Sequence, residues 1–381
     1  MSGVVAAAAA LSLVVAACSG SSDETSGGPT PPSGTAGSTA SSPPAGAAPV
    51  PRPRVAGVVA TGLKVPWGIA FLPDGSALVS ERDAARIVRV TPEGDVSDVG
   101  AVAQVAGVGE GGLLGIALSP SFAQDRTLFA YYTSGRQNVV ARLLLDDAYR
   151  ITDQRTIFDG IPSGPIHNGG RIAFGPDGFL YVGTGEAGRR DPAQDPHDLG
   201  GKILRITPEG DPAPGNPTAG SPVWTLGHRN VQGLAWDASG RMWASEFGQN
   251  TWDELNRIVA GDNYGWPDLE GRSGESRFHD PVRQWHTDVA SPSGIAVARG
   301  SVFMAALRGE RLWAIRVRAD GTARATASFA GVYGRLRDVI GGPDDTLWVL
   351  TDNTDGRGDP KPGDDRLLRV PLNAVSAPSR G

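Results

Sequence analysis

Six times between Trp67 and Leu350 the chain repeats one phrase: a short apolar run, a Pro/Asp/Gly turn, and a second apolar run. The copies begin at Gly68, Gly115, Arg171, Gly233, Gly294 and Asp338, as in Gly68-IAFLPDGSALVS and Arg171-IAFGPDGFLYVGTG. They recur roughly every 45–60 residues, close to the length of one β-propeller blade. A single copy is a hairpin that cannot bury its apolar face alone. Six arranged radially can, and they leave a polar central channel. The repeat therefore predicts an all-β, six-bladed propeller of four-stranded antiparallel blades, with any chemistry at the channel mouth.

A chain of 381 residues has room for two or three domains. All six copies are needed to close one ring, so residues 54–375 read as a single domain, with 376–381 as a tail. The 53 Gly and 30 Pro suit a turn-rich β protein. A net charge of −6 without a basic run argues against nucleic-acid binding, and no apolar stretch is long enough to span a bilayer as a helix. Val4 to Ala17 form a short apolar run ending in Val15-Ala16-Ala17-Cys18, which matches a bacterial lipobox. Residues 1–17 are thus expected to be a lipoprotein signal peptide, with Cys18 acylated. The product would be exported and lipid-anchored to the outer face of the cytoplasmic membrane. No Lys or Arg precedes the apolar run, a departure from the usual signal peptide. Residues 18–53 are Ser, Gly, Pro, Ala and Thr with little to bury, and read as a disordered tether. Its reach as a flexible coil is roughly 30–35 Å. With Cys18 the single cysteine, no intrachain disulfide can form.

Two stretches, Gly107-VGEGG and Gly183-TGEAG, match the G-x-G-x-x-G pattern. A dinucleotide site needs a helix opening on those glycines. Here the β-like Leu113-LGIAL follows one, and a stretch broken by Pro192 and Pro196 follows the other. They read as turns. There is no G-x-S-x-G elbow, H-E-x-x-H or P-loop, and five scattered histidines make a structural zinc site improbable.

His167, in Ile166-His167-Asn168-Gly169-Gly170-Arg171, lies just before an inner strand, where its imidazole could take a proton near neutral pH. The plainer alternative is a loop histidine bonded to a neighbouring carbonyl. Arg229 and Asn230 open the next blade, and Arg229 can donate up to five hydrogen bonds. Arg335 and Arg337 are two apart on a strand and so share a face, which suits an anion with several carboxylates. Arg308 ends the fifth copy. Surface ion pairs would explain each arginine singly; their common place at blade ends favours a shared site. Glu110, Glu186 and Glu246 sit at matching points, to pair with these arginines or to accept from sugar hydroxyls. The run from Gly248 to Glu254 is rich in the hard oxygen ligands that calcium prefers, without EF-hand spacing.

Taken in order, Gly109-EGGLLGIALSPSF, His167-NGGRIAFGPDGFLYVGTGE, Leu226-GHRNVQGLAW, Ser245-EFGQNTWDELN, Asn263-YGWP and Arg335-LRDVI resemble the soluble PQQ-dependent glucose and aldose sugar dehydrogenases. These are six-bladed propellers that oxidise sugars with pyrroloquinoline quinone (PQQ). The resemblance spans Val55 to Val370. It implies that His167 is the general base for the sugar C1 hydroxyl and that Arg229 polarises the quinone. Asn230 would add a cofactor contact, and Arg308, Arg335 and Arg337 would hold the PQQ carboxylates. Glu110 would touch cofactor and sugar, and Glu186 the sugar. Backbone carbonyls of Gly248 and Gln249 would bind a Ca²⁺ that acts on PQQ as a Lewis acid, and Glu254 with Tyr264 would hold a second, structural Ca²⁺.

Several positions depart from the glucose enzymes. Ile166 stands where they have Asp, Glu110 where they have Gln, Glu186 where they have Asp, and Arg308 where they have Lys. Phe247 and Gln249 replace Gln and Pro, and Ser291-PSGIAVARG lacks their aromatic residues. The pattern points to the broader aldose group. Without a Cys-x-x-Cys-His haem motif, electrons must leave to an external acceptor. Two other readings stand beside this one: a calcium-dependent propeller lactonase or esterase, and a non-catalytic propeller that binds a glycan or protein.

Overall fold

The computed structural model describes residues 53–372, which lie within one compact unit. Cys18, the signal segment and most of the tether lie outside the described residues. Six four-stranded antiparallel sheets form the expected propeller. Each copy of the repeat supplies the two innermost strands of a blade. The inner strands are Pro66–Phe71, Leu113–Leu118, Ile172–Phe174, Val231–Trp236, Pro292–Ala298 and Leu336–Gly342. Each contacts the inner strands of the blades before and after it, and the sixth contacts the first. Blades 1 to 6 thus follow chain order around the ring.

The ring closes with a strand from outside the repeats. Gly57–Ala60 pairs antiparallel with Leu367–Pro371, so the first strand among the described residues is the outermost strand of blade 6. This places both ends of the propeller in one sheet. The repeat alone did not disclose it, because it marks only the apolar inner strands.

The inner strands meet closely, and small residues make that possible. Gly115 donates its N–H to the Gly170 carbonyl at 3.1 Å. A Cβ on Gly115 would lie 2.2 Å from that oxygen. Between blades 5 and 6, a Cβ on Gly294 would lie 1.7 Å from Asp338 Oδ1. Asp338 accepts from the Ile69 N–H of blade 1 at 3.2 Å and from Arg171 Nη1 of blade 3 at 2.7 Å. Blades 3 and 6 are opposite in the ring, so this buried ion pair crosses the axis. Arg171 also donates to the Gln232 carbonyl of blade 4 at 2.9 Å and lies over the Trp67 ring of blade 1 at 4.4 Å. The pair separates a funnel at one mouth, whose wall includes Ile69, Ile116, Ile172, Leu234, Ile295 and Val339, from the arginine-lined cavity at the other. Between blades the core is aliphatic and aromatic, with Trp243, Trp348, Tyr131, Tyr132 and Phe129 fully buried. No helix among the described residues is long and apolar enough to cross a membrane.

Gly115→Ala is expected to cost about 1–3 kcal/mol by forcing two inner strands apart. Asp338→Ala is expected to cost about 3–5 kcal/mol, because it leaves Arg171 buried without its counter-charge. Urea denaturation of both variants checks these values.

Candidate functional site

The polar mouth opens into a cavity of about 530 Å³. Its wall comes from loops that precede inner strands (Gly109, Glu110, Asn168, Gly169, Ser291) and from the strands themselves (Trp67, Gln232, Arg337). Segments that follow second strands complete it, among them Arg82, Phe247, Arg308 and Asp355 to Arg357.

His167 sits at the head of the loop entering blade 3 with φ +57°, a left-handed conformation that costs a β-carbon residue on the order of 1–3 kcal/mol. The surroundings hold it there. Its N–H donates to Glu110 Oε2 at 2.9 Å, and its carbonyl accepts from the Ala187 N–H at 3.0 Å. Two residues on, the Gly169 N–H donates to Asn230 Oδ1 at 2.9 Å. The imidazole Nδ1 is hydrogen-bonded to Glu186 Oε1, which leaves Nε2 as the nitrogen open to a substrate. A carboxylate behind Nδ1 fixes the ring and favours the charge it gains on accepting a proton. Glu186 itself is 1% exposed, and its Oε2 has no partner. The structure thus places Glu186 behind the base, where burial keeps it from the open cavity in which a sugar would lie.

Arg229 is joined to the same cluster through the backbone, its carbonyl accepting from the Glu186 N–H at 3.0 Å. Its own N–H donates to Glu246 Oε1, and Glu246 Oε2 is 2.7 Å from Nδ1 of the buried His228. The guanidinium donates to the Phe247 carbonyl at 3.3 Å and lies over Trp266 at 5.4 Å, with Nε buried and unpartnered. Burial lowers its pKa, opposed by Glu186, Glu270, Glu246 and Glu110. Asn230 is 1% exposed, and its carbonyl oxygen is committed to Gly169 and Gln232. It therefore holds the turn after His167, and its expected cofactor contact has no support from that oxygen.

Arg335 and Arg337 share a face as their spacing predicts, and both line the cavity. Carboxylates behind them set their direction. Arg335 donates to Asp355 at 2.7 Å, and Arg337 donates to Asp352 at 2.6 Å and to Gln232 at 3.4 Å. Burial pushes Asp352 up to about 6 against the pull of Arg337. Arg308 lines the cavity without a carboxylate partner among the described residues.

The loop after Phe247 wraps a carboxylate the sequence did not single out. The N–H groups of Gln249, Asn250, Thr251 and Trp252 all donate to Glu270 Oε1, at 2.7 to 3.1 Å. In trans peptides each carbonyl points opposite to its N–H, so the Gly248 and Gln249 oxygens are turned away from Glu270. Carbonyls freed in this way fit a hard cation. No cluster of three or more His, Cys, Asp or Glu side chains able to hold a metal occurs among the described residues. Glu254 is buried and accepts from Asn256 Nδ2 and the Gly271 N–H, while Asn256 Oδ1 is buried without a partner. The Tyr264 hydroxyl donates to the Arg257 carbonyl and accepts from the Val259 N–H. With the hydroxyl engaged twice over, the oxygen that Tyr264 can offer a cation is its backbone carbonyl.

Sequence reasoning missed Trp67, Arg82, Gln232, Asp355 and Arg357. Arg82 carried a usable signal, because it ends the first copy as Arg308 ends the fifth. Asp355 and Arg357 lie in a long segment outside the repeat, where no periodicity marks them.

A family model described as glucose/sorbosone dehydrogenase matches residues 63–369. The chain is 32% identical to aldose sugar dehydrogenase YliI of Escherichia coli K12, over 76% of this chain and 88% of that protein. It is 31% identical to quinoprotein glucose dehydrogenase B of Acinetobacter calcoaceticus, over 58% of this chain and 54% of that one. Among solved structures, the PQQ-bound form of an aldose sugar dehydrogenase from Streptomyces coelicolor superposes with a TM-score of 0.83 at 57% identity, covering 85% of this chain and 99% of that one.

Burial, reinforced by Glu246, pushes the Glu254 carboxyl up to about 8, from 4.5 when unperturbed. Folding therefore retains a proton that the unfolded chain has lost between those values. The associated stability is present in full below about pH 4.5 and is lost as pH rises through 8. In chelator-treated protein, Glu254→Gln should match the parent Tm at pH 5 and exceed it at pH 9.

Proposed function

From the premise that this chain belongs to the glucose/sorbosone dehydrogenase family, we propose that it is an aldose sugar dehydrogenase that works with bound PQQ. One observation carries the reading: a carboxylate-backed histidine directly before Asn168 and Gly169, which stand in the wall of an arginine-lined cavity, and bonded through its N–H to Glu110 of the same wall. PQQ is a planar tricarboxylate, and the residues present fit it. Arg308, Arg335 and Arg337 line the cavity and would hold its carboxylates, and Arg229, whose guanidinium bonds the carbonyl of the cavity-wall residue Phe247, would lie behind the quinone. When bound, PQQ supplies the two-electron acceptor for the hydride of sugar C1.

The protein's own task is proton transfer and positioning. His167 Nε2 accepts the proton of the C1 hydroxyl. Glu186 keeps the ring turned and offsets the charge it acquires, in a pocket where water cannot do so. Oxidation at C1 of a cyclic aldose gives the lactone. Glu110 remains a sugar contact through its outer lone pairs. Ile166, 39% exposed, presents an apolar side chain where the glucose enzymes have Asp, in keeping with a broad aldose preference. The Gly248 and Gln249 carbonyls would hold Ca²⁺ near the cofactor, and Glu254 with the Tyr264 carbonyl a second Ca²⁺. We further propose export, acylation at Cys18, and electron transfer to an external acceptor; fatty-acid labelling of the parent and of Cys18→Ala tests the anchor.

The purified chain, supplied with PQQ and Ca²⁺, should reduce an artificial dye only when an aldose is present. His167→Ala should bind PQQ as the parent does while kcat falls roughly 10²–10⁴-fold, the usual worth of a general base. Arg335→Ala should instead weaken PQQ binding, read by fluorescence titration. Lactone hydrolysis without PQQ would overturn the assignment.

A further inference from the structure

An ion pair bridges two loops of the cavity mouth. Arg357, from the long segment after the second strand of blade 6, meets Glu110, from the loop entering blade 2, at 2.5 Å. Both line the cavity. Each Glu110 oxygen has one donor: Oε1 takes Arg357 Nη1, and Oε2 takes the backbone N–H of His167. The Glu110 N–H is bonded to the Pro165 carbonyl at 2.9 Å, so the loop bearing Glu110 is attached to the segment entering the base at two points, Pro165 and His167. At the other end, the Arg357 N–H donates to Asp355 Oδ1, and Asp355 Oδ2 holds Arg335. One chain of contacts therefore runs from an anion-facing arginine to the backbone of His167.

Resting on the dehydrogenase reading above, we infer that Arg357 is a positioning residue for the base: it fixes Glu110 across the mouth, and Glu110 fixes the left-handed His167. The Arg357 side chain is 55% exposed. Exposed ion pairs contribute little to stability, so the fold does not need this one. The site needs it because a base displaced by a fraction of an ångström loses rate steeply. Burial raises the Glu110 carboxyl, but the His167 N–H and Arg357 together outweigh burial and keep it below its ordinary range. The charged groups facing it are Arg357, His167 and, at longer range, Arg229.

Two readouts on the full chain test this. In the PQQ-loaded protein, Arg357→Ala should lower kcat by about tenfold to a hundredfold, and Arg357→Lys should recover most of it. Glu110→Gln keeps an acceptor for the His167 N–H but loses the pair. It should show a loss that does not add to that of Arg357→Ala. In the protein without cofactor, the His167 backbone amide, followed by NMR, should report the ionisation of Glu110. Its midpoint should move to higher pH in Arg357→Ala and return in Arg357→Lys. Parent-like kcat in Arg357→Ala, additive losses, or an unmoved amide midpoint would each overturn the inference. If the parent shows no turnover at all, the dehydrogenase reading fails while the amide measurement still decides the positioning role.

Discussion

The axis of this propeller is narrow enough that two opposite blades share a buried ion pair, and the rest of the molecule is arranged around that fact. Arg171 and Asp338 can meet only if the inner strands crowd together, and Gly115 and Gly294 remove the β-carbons that would prevent it. A buried pair of this kind is costly to break but contributes little by itself relative to apolar packing. Its consequence is geometric. It closes the channel partway down, so the polar mouth becomes a floored cavity with Trp67 and Gln232 in its wall.

Above that floor, the charges are arranged in depth. The arginines that line the cavity are turned toward it by carboxylates: Arg335 by Asp355, Arg337 by Asp352, Arg357 by Glu110. His167 is backed by Glu186 in the same manner. Groups fixed before a ligand arrives need no reorganisation when it binds, and in a low-dielectric pocket such fixed charges act strongly. Arg308 differs, since no carboxylate pairs with it among the described residues, and an incoming anion would supply its counter-charge.

Much of this was legible in one dimension. The six copies carried the blade number and the inner strands, because apolar periodicity records burial directly. His167, Arg335 and Arg337 could be found because they sit at fixed offsets from those strands. Glu186 and Asn230 were identified as part of the site, yet their places differ from expectation. One lies behind the imidazole and the other braces the Gly169 turn. Nothing in a sequence says whether a polar side chain at a blade end faces the cavity or the residue beside it. Arg357, Asp355 and Glu270 were not legible at all, since they come from irregular segments that periodicity does not reach.

What the sequence determined by itself was therefore the ring: an all-β chain whose repeat demands six blades, with histidine and arginines gathered at their ends. The tertiary structure decided which of those groups meet. Partners such as Glu110 and Arg357, or Arg171 and Asp338, are 247 and 167 residues apart along the chain. They are brought together only when the first strand completes the last blade and closes the circle, because a hydrogen bond requires ångström proximity that sequence separation does not encode.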